Sequence, residues 1–299
     1  MSTSSPQHAK GLALTAIGGM ALTVDIPLIR LAEGEPWSIL MVRTGATFLA
    51  GLVIWAIWRL MSPNAPRLLP GPAGVATAAF YGLGSITFII AVYNTSTANL
   101  VFILAFNTMF AALLSWVFLK ERPRPATLLT MVAMIGGVLI IVGDSIGSGY
   151  LLGDFMAMCS ALMIASAITI SRASGQDMGF TALIGVALPF LVAMALVAKT
   201  GYRIDAPWWI IFNGAVVMPI SFFCLATGPK YISGAEVAMF YLLETVLAPV
   251  WVWAIFSEVP SRNSLIGGAI LIVALVAHSA WQLHEGRKRR AATGIRHPA

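Results

Sequence analysis

Charge is what this sequence has least of. Its 299 residues include 18 Lys and Arg and 12 Asp and Glu, 10% of the chain, where a soluble domain carries roughly 25%. A water-soluble globule of this size cannot cover its surface with so few charges. Disorder is excluded by the opposite excess, because 59% of the residues are hydrophobic and a disordered chain needs low hydrophobicity and many charges. Cysteine is nearly absent: Cys159 and Cys224 both lie in apolar runs, which argues against a disulfide framework and leaves the redox compartment unread. Catalytic and metal-binding patterns are missing as well. No H-E-x-x-H or phosphate-binding Gly-Lys loop occurs, and the G-x-S-x-G match at Gly143–Gly147 closes an apolar run instead of following a strand, which argues against an enzyme, a metal centre, a cofactor and an ATP-driven pump.

What remains is apolar sequence, with a mean hydropathy of +0.87. Ten stretches separate at charges, Pro and Gly: Gly11–Leu31, Trp37–Leu60, Pro72–Tyr93, Ala98–Leu119, Pro125–Gly143, Leu152–Ser171, Gly179–Lys199, Pro207–Gly228, Ala235–Phe256 and Asn263–His284. Each is long enough to cross a bilayer as a helix and apolar on all faces, unlike the alternating strands of a barrel. The length leaves no room for a soluble domain. The polar first ten residues and the lack of a small-residue cleavage pattern argue against a cleaved secretory signal.

Lys and Arg set the expected orientation. One side of the alternating spans collects 13 of them: Lys10, Arg59, Arg67, Lys120, Arg122, Arg124, Arg172, Lys230, Arg287, Lys288, Arg289, Arg290 and Arg296. The other collects 4, Arg30, Lys199, Arg203 and Arg262, while Arg43 falls inside a span. Both termini are therefore expected in the cytoplasm. The basic run Arg287–Arg290 reads first as a topology signal beside the last span. A lipid- or nucleic-acid-binding tail is the other reading of that run, although the overall charge distribution argues against nucleic acid as a partner.

The chain also repeats itself. At a shift of 137 residues, Ser96, Ala98, Thr108, Trp116, Glu121 and Pro123 pair with Ser233, Ala235, Thr245, Trp253, Glu258 and Pro260. At a shift of 142, Gly11 and Arg30 pair with Gly153 and Arg172. The expected fold is an all-α membrane protein: ten transmembrane helices as two five-helix repeats, 1–146 and 147–284, followed by a basic cytoplasmic tail, 285–299. An odd number of helices per repeat inverts the second copy, an arrangement that transporters use to build a site near the midplane.

The stretch Tyr231–Pro249 with Glu244, followed by Ser257-Glu258, resembles the second half of EamA-type members of the drug/metabolite transporter superfamily. Thr245 stands where that family tends to have Pro, and Ser257 where it tends to have Gly. Asn94–Ala98, Lys120-Glu121 and Gly153-Asp154 match the corresponding turn, helix end and helix start of the first half and the sixth helix. The resemblance implies ten helices around a central cavity, both ends cytoplasmic, and helices 1, 3, 4, 6, 8 and 9 around that cavity. Within the family the chain is most similar to bacterial amino-acid and metabolite exporters of the inner membrane, an aromatic amino-acid exporter among them.

Acids inside spans must face a cavity or a partner, since a carboxylate at the bilayer centre costs at least a few kcal/mol. Glu244 lies roughly 13 Å into the ninth span at 1.5 Å per residue, and its repeat mate Asn107 lies about as deep from the other face. Both are expected at the cavity, with Glu244 able to change protonation during a transport cycle. A hydrogen bond between helices is the structural alternative for Glu244. Tyr81, Phe102, Phe106, Phe222 and Tyr241 are candidate aromatic walls. Asp25 and Arg43 are expected to pair inside the membrane, with a substrate ammonium as the other partner open to Asp25. Glu236 reads as a capping residue with Ser233, and Glu121 and Glu258 as structural helix ends beside Pro123 and Pro260.

The expected function is secondary transport: export, by alternating access, of small metabolites such as aromatic or hydrophobic amino acids or related amphipathic compounds. A multidrug or hydrophobic-cation exporter of the same fold and a passive channel are the alternatives. Substrate and lipid bilayer are the expected partners, with a monomer as the expected state. Strongly anionic cargo is disfavoured because the spans offer almost no Lys or Arg.

Overall fold

The computed structural model describes residues 6–62, 67–176, 178–227, 231–232 and 234–294. Among them are ten helices long and apolar enough to cross a membrane: α1 (Gln7–Leu31), α2 (Pro36–Met61), α3 (Gly71–Asn94), α4 (Thr97–Leu119), α5 (Pro125–Ser145), α6 (Leu151–Ser174), α7 (Thr181–Thr200), α8 (Pro207–Leu225), α9 (Met239–Phe256) and α10 (Arg262–Glu285). The helix of α9 begins earlier, at Gly234, and that of α10 continues to Gly294. Proline opens α2, α3, α5 and α8 at the first or second position, where its missing N–H costs nothing and its fixed φ suits a helix.

Four spans are not regular helices, one of them α7, which is interrupted at Val186. α1 breaks between Leu22 and Asp25, and α4 breaks between Leu104 and Asn107. α8 contains a wide π turn, Asn213–Val217, just before Pro219. Such turns insert an extra residue into the ladder and recur at functional sites.

Contacts between helix ends define two faces. Lys10 lies over the Tyr231 ring and Arg172 bonds Glu121 at one face, here called the basic face. Arg30 bonds Glu258, Thr95 bonds Asp154 and Ser261 bonds Asp144 at the other, the far face. The main cluster of buried apolar side chains, with Ile26, Ile39, Val92, Leu100 and Val252 among its members, lies in the far half. There the first segment of α4 packs on α6, α9 and α10. The second segment, Asn107–Leu119, keeps its packing on α6 and draws away from α9 and α10, while α9 also packs on α1. α9 is the least buried of the ten spans.

The packing follows a pseudo-two-fold. α1 meets α8 as α6 meets α3, and α1 meets α9 as α6 meets α4. α2 with α7 and α5 with α10 are the pairs that the two-fold maps onto themselves. Two duplicated positions make the relation concrete. Gly11 lies directly against Tyr231 and Ile232 beyond the end of α8, and Gly153 lies against the Asn94–Thr95 backbone at the end of α3. A Cβ at either would overlap its neighbour. In the α5–α10 crossing, a Cβ on Gly137 would come within 2.8 Å of the Gly267 carbonyl oxygen, so small residues set the closeness of this pair.

Helix ends repeat the same relation. Lys120 and Ser257, aligned by the 137-residue shift, terminate α4 and α9 with left-handed φ of 56° and 55°. This backbone region favours glycine, and the turn that each residue makes leads directly into Glu121 or Glu258.

Candidate functional site

The α1 break puts Asp25 in the first turn of a new helical segment, where backbone N–H groups favour a negative charge. Thr23, within the break, donates to the Met20 carbonyl at 2.7 Å and accepts from the Trp251 indole N–H of α9 at 3.1 Å. On α2, Arg43 points at Asp25: its Nη2 donates to Oδ1 and Oδ2 at 3.0 and 2.8 Å. Asn213, heading the π turn of α8, closes the triangle. Its Oδ1 accepts from Arg43 Nε at 3.1 Å and its Nδ2 donates to Asp25 Oδ1 at 2.7 Å. The helices approach this closely because Gly214 lies against the Arg43 backbone carbonyl. Phe88 of α3 covers the guanidinium, 5.5 Å from ring centre to Cζ.

Asp25, Arg43 and Asn213 are 3%, 6% and 0% exposed, so this is a desolvated ion pair with a polar third member. Charges taken out of water at this depth persist only when each is matched in geometry and hydrogen bonding. Asn213 supplies that match on both sides.

Glu244 stands beside the triad. It is half-buried on α9 and within electrostatic reach of both Asp25 and Arg43. Tyr241, one turn earlier, is within reach of Glu244 and of Tyr81 on α3, and Tyr81 is likewise half-buried. Side chains from α1, α2, α3, α8 and α9 therefore converge, and those of Tyr81, Tyr241 and Glu244 keep accessible surface. With both carboxylates ionised, the two acids and Arg43 sum to one negative charge. A proton or a substrate cation would neutralise it.

The other expected wall residues sit elsewhere. Phe102 and Phe106 are buried, Phe102 against Gly268 of α10 and Phe106 edge-on to Phe110 at 5.3 Å. Asn107 is half-buried and begins the second segment of α4. Phe222 is half-buried on α8. Glu236 accepts from His8 Nε2 of α1 at 2.9 Å, while Ser233, its expected capping partner, lies outside the described residues, as do Lys230 and Arg296.

Several polar groups at the far face make bonds that the sequence did not disclose. Asp154, 1% exposed, accepts from Thr95 and Ser145 at 2.5 Å each and from Asn99 at 3.4 Å. Asn99 in turn accepts from Ser264 of α10. Glu258 takes Arg30 on one oxygen and the Thr97 backbone N–H, at 2.8 Å, on the other. That pair is about a quarter exposed on each side, whereas its repeat mate, Arg172–Glu121 at 3.1 Å, is more than half exposed. The signal for both pairs was the duplication itself, which aligns Arg30 with Arg172 and Glu121 with Glu258.

Two crevices open on the faces, about 570 Å³ beside α4, α5 and α10 at the basic face and about 690 Å³ around Tyr93, Tyr150 and Glu258 at the far face. Neither is lined by Glu244, Tyr81 or Tyr241.

Ten spans in two inverted five-helix repeats, with a polar cluster at interrupted helices, define the class as a repeat-built membrane protein, an architecture that transporters use. Residues 9–143 and 151–279 both match the EamA-like transporter family, and the chain belongs to that family. It is 27% identical over 217 residues to solute carrier family 35 member G1 of Homo sapiens, covering 64% of this chain and 58% of that protein. It is 26% identical over 182 residues to the pseudopaline exporter CntI of Pseudomonas aeruginosa strain UCBPP-PA14, covering 58% of this chain and 62% of that one. The match thus spans about three-fifths of the length of these curated relatives. One crystal structure aligns with a TM-score of 0.65 at 15% identity, over 92% of this chain and 98% of its own, which supports the fold. That family is one of transporters, and the ten helices of this chain are long and apolar enough to cross a membrane.

Proposed function

We propose that this chain exports small amine-bearing amphipathic metabolites, with aromatic or hydrophobic amino acids as the leading class, across a bacterial inner membrane by alternating access. One observation supports the reading: Glu244, half-buried on α9, is within electrostatic reach of Tyr241 and of the Asp25–Arg43 pair, beside which α1 and α8 lose regular helical geometry. Because Arg43 is engaged by Asp25 and Asn213, the unmatched charge belongs to Glu244, and a substrate ammonium or a proton satisfies it. Aromatic walls suit an apolar side chain beside that ammonium. Asn107 and Phe222, both half-buried, are proposed as further cavity residues, as are Phe102 and Phe106, which are buried in the state described here. The exporter among the relatives supports the outward direction.

Both termini are proposed to be cytoplasmic, which makes the basic face the inner one. The far-half core, the closed Arg30–Glu258 pair and the parting of α4 from α9 toward the basic face support an inward-open state. The repeats are proposed to divide at 1–146 and 147–284, with a basic tail after 285, and the working unit to be a monomer.

A hydrophobic-cation exporter is the second reading, favoured by the same single negative charge. Proteoliposomes distinguish the two. Labelled phenylalanine should exchange against unlabelled phenylalanine on the opposite side, and a lipophilic quaternary ammonium should compete weakly. Strong exchange of the quaternary ammonium with none of the amino acid would select the second reading. Flux without stimulation from the opposite side would make the protein a channel.

A further inference from the structure

The crevice at the basic face lies between the second segment of α4, the start of α5 and the end of α10, apart from the Glu244 cluster. Arg122, Arg124 and Arg172 line its mouth, against Glu121 and Glu285. Glu121 is bonded to Arg172, and among the described residues Arg122 and Arg124 have no ion-pair partner. Arg124 rests on the Trp281 ring at 5.6 Å, and Trp281 stacks on His278 at 5.8 Å. The mouth therefore carries net positive charge beside an aromatic ledge. Deeper in, the walls turn apolar, with Met109, Ala112, Met131, Met134 and Leu275. The same three helices expose Val117, Leu129, Val132 and Val276 on their outer faces, so the crevice adjoins the acyl-chain region. Beyond it the α10 helix continues to Gly294 and carries the basic run Arg287–Arg290 out of the span.

We propose that this crevice is a lipid site for an anionic phospholipid, with the headgroup phosphate at Arg122 and Arg124 and the glycerol end of one chain against Met109, Met131 and Leu275. Paired guanidiniums suit phosphate because they donate several N–H bonds in a fixed plane, and basic pockets between helices at a membrane face recur as headgroup sites. A bilayer phospholipid is favoured over a free phosphate ester because the apolar half of the crevice has no use for a ligand without chains. A molecule seated there fills the gap that separates the second segment of α4 from α5 and α10, and so holds that segment against α6.

The test is native mass spectrometry of the detergent-purified protein with phosphatidylglycerol, with phosphatidylcholine of the same chains, and with glycerol 3-phosphate. Wild type should retain one phosphatidylglycerol under conditions that strip phosphatidylcholine, and should not retain glycerol 3-phosphate. Arg122→Gln with Arg124→Gln should reduce retention at least five-fold. Arg122→Lys with Arg124→Lys should keep about half of it, which guards against misfolding of the neutral variant. Arg59→Gln, at the same face but stacked on Trp55, should change nothing. Equal retention of the two lipids, equal loss in the Arg59 variant, loss in the Lys variant, or tight binding of glycerol 3-phosphate would each overturn the proposal.

Discussion

Arg30, at the end of α1, holds Glu258, at the end of α9, and Arg172, at the end of α6, holds Glu121, at the end of α4. Each pair joins the two repeats, and the pseudo-two-fold exchanges one pair for the other across the membrane. Their unequal exposure is the physical mark of an asymmetric state. The Arg30–Glu258 pair is sequestered and additionally bonded to the α4 N-terminus through Thr97, whereas the Arg172–Glu121 pair stands in solvent and contributes little, as exposed ion pairs do.

Breaking the sequestered pair should therefore matter more than breaking the open one. Arg30→Gln is expected to raise labelling of a cysteine placed at Ala98 by an impermeant maleimide several-fold, and Arg30→Glu with Glu258→Arg should restore protection. Arg172→Gln should leave that labelling unchanged. Equal effects of the two single variants would remove the asymmetry on which the inward-open reading stands.

Within the membrane, removal of one partner of the Asp25–Arg43 pair leaves the other charge buried and unmatched. Arg43→Leu should cost about 3–5 kcal/mol, read as a loss of thermal stability in detergent. Asp25→Asn combined with Arg43→Gln should cost clearly less than the sum of the single changes, because no bare charge remains. An additive cycle would mean that the two side chains do not interact.

Adjacent glycines on α5 should behave oppositely. Gly136 faces open space, while Gly137 abuts the Gly267 carbonyl. Gly136→Ala should be neutral or stabilise by up to about 1 kcal/mol through helix propensity. Gly137→Ala should destabilise by about 1–3 kcal/mol through overpacking. Denaturation midpoints of the two variants decide it.

At the left-handed helix ends, Ser257→Gly and Lys120→Gly should each stabilise by about 0.5–1 kcal/mol by relieving a conformation that a Cβ resists. Ser257→Val should do the reverse. A thermal midpoint that falls in both glycine variants would show that the cap depends on the side chains instead.

The ten spans were readable because each is a long apolar run closed by Pro, Gly or charge, and a helix needs no partner to declare such ends. The break within α4 was not readable, because nothing local to Leu104–Asn107 forbids a regular helix, whereas those of α1 and α8 lie one turn before Pro27 and Pro219, whose missing N–H and ring disturb the preceding turn. The interrupted turns of α1 and α8 then serve contacts between residues far apart in sequence, the Trp251–Thr23 bond and the Gly214–Arg43 approach. Asn213 illustrates the limit. One Asn in an apolar span is a visible oddity, yet its role depends on Asp25 and Arg43 arriving from two other helices. The duplication exposed Arg30, Arg172, Glu121 and Glu258 as paired positions. It was silent on their bonding across the repeats, since an alignment compares positions and contains no contacts. His8 was equally hidden, because its partner Glu236 has a plausible local role as a cap.

The central claim is that Glu244 is the site's exchangeable negative charge. It is tested most directly by amino-acid counterflow in proteoliposomes at two pH values, with wild type and Glu244→Gln reconstituted to equal density. The account predicts pH-dependent exchange in wild type, and in the variant a rate at least ten-fold lower or one that no longer responds to pH. Exchange by Glu244→Gln at the wild-type rate with the wild-type pH response would contradict it.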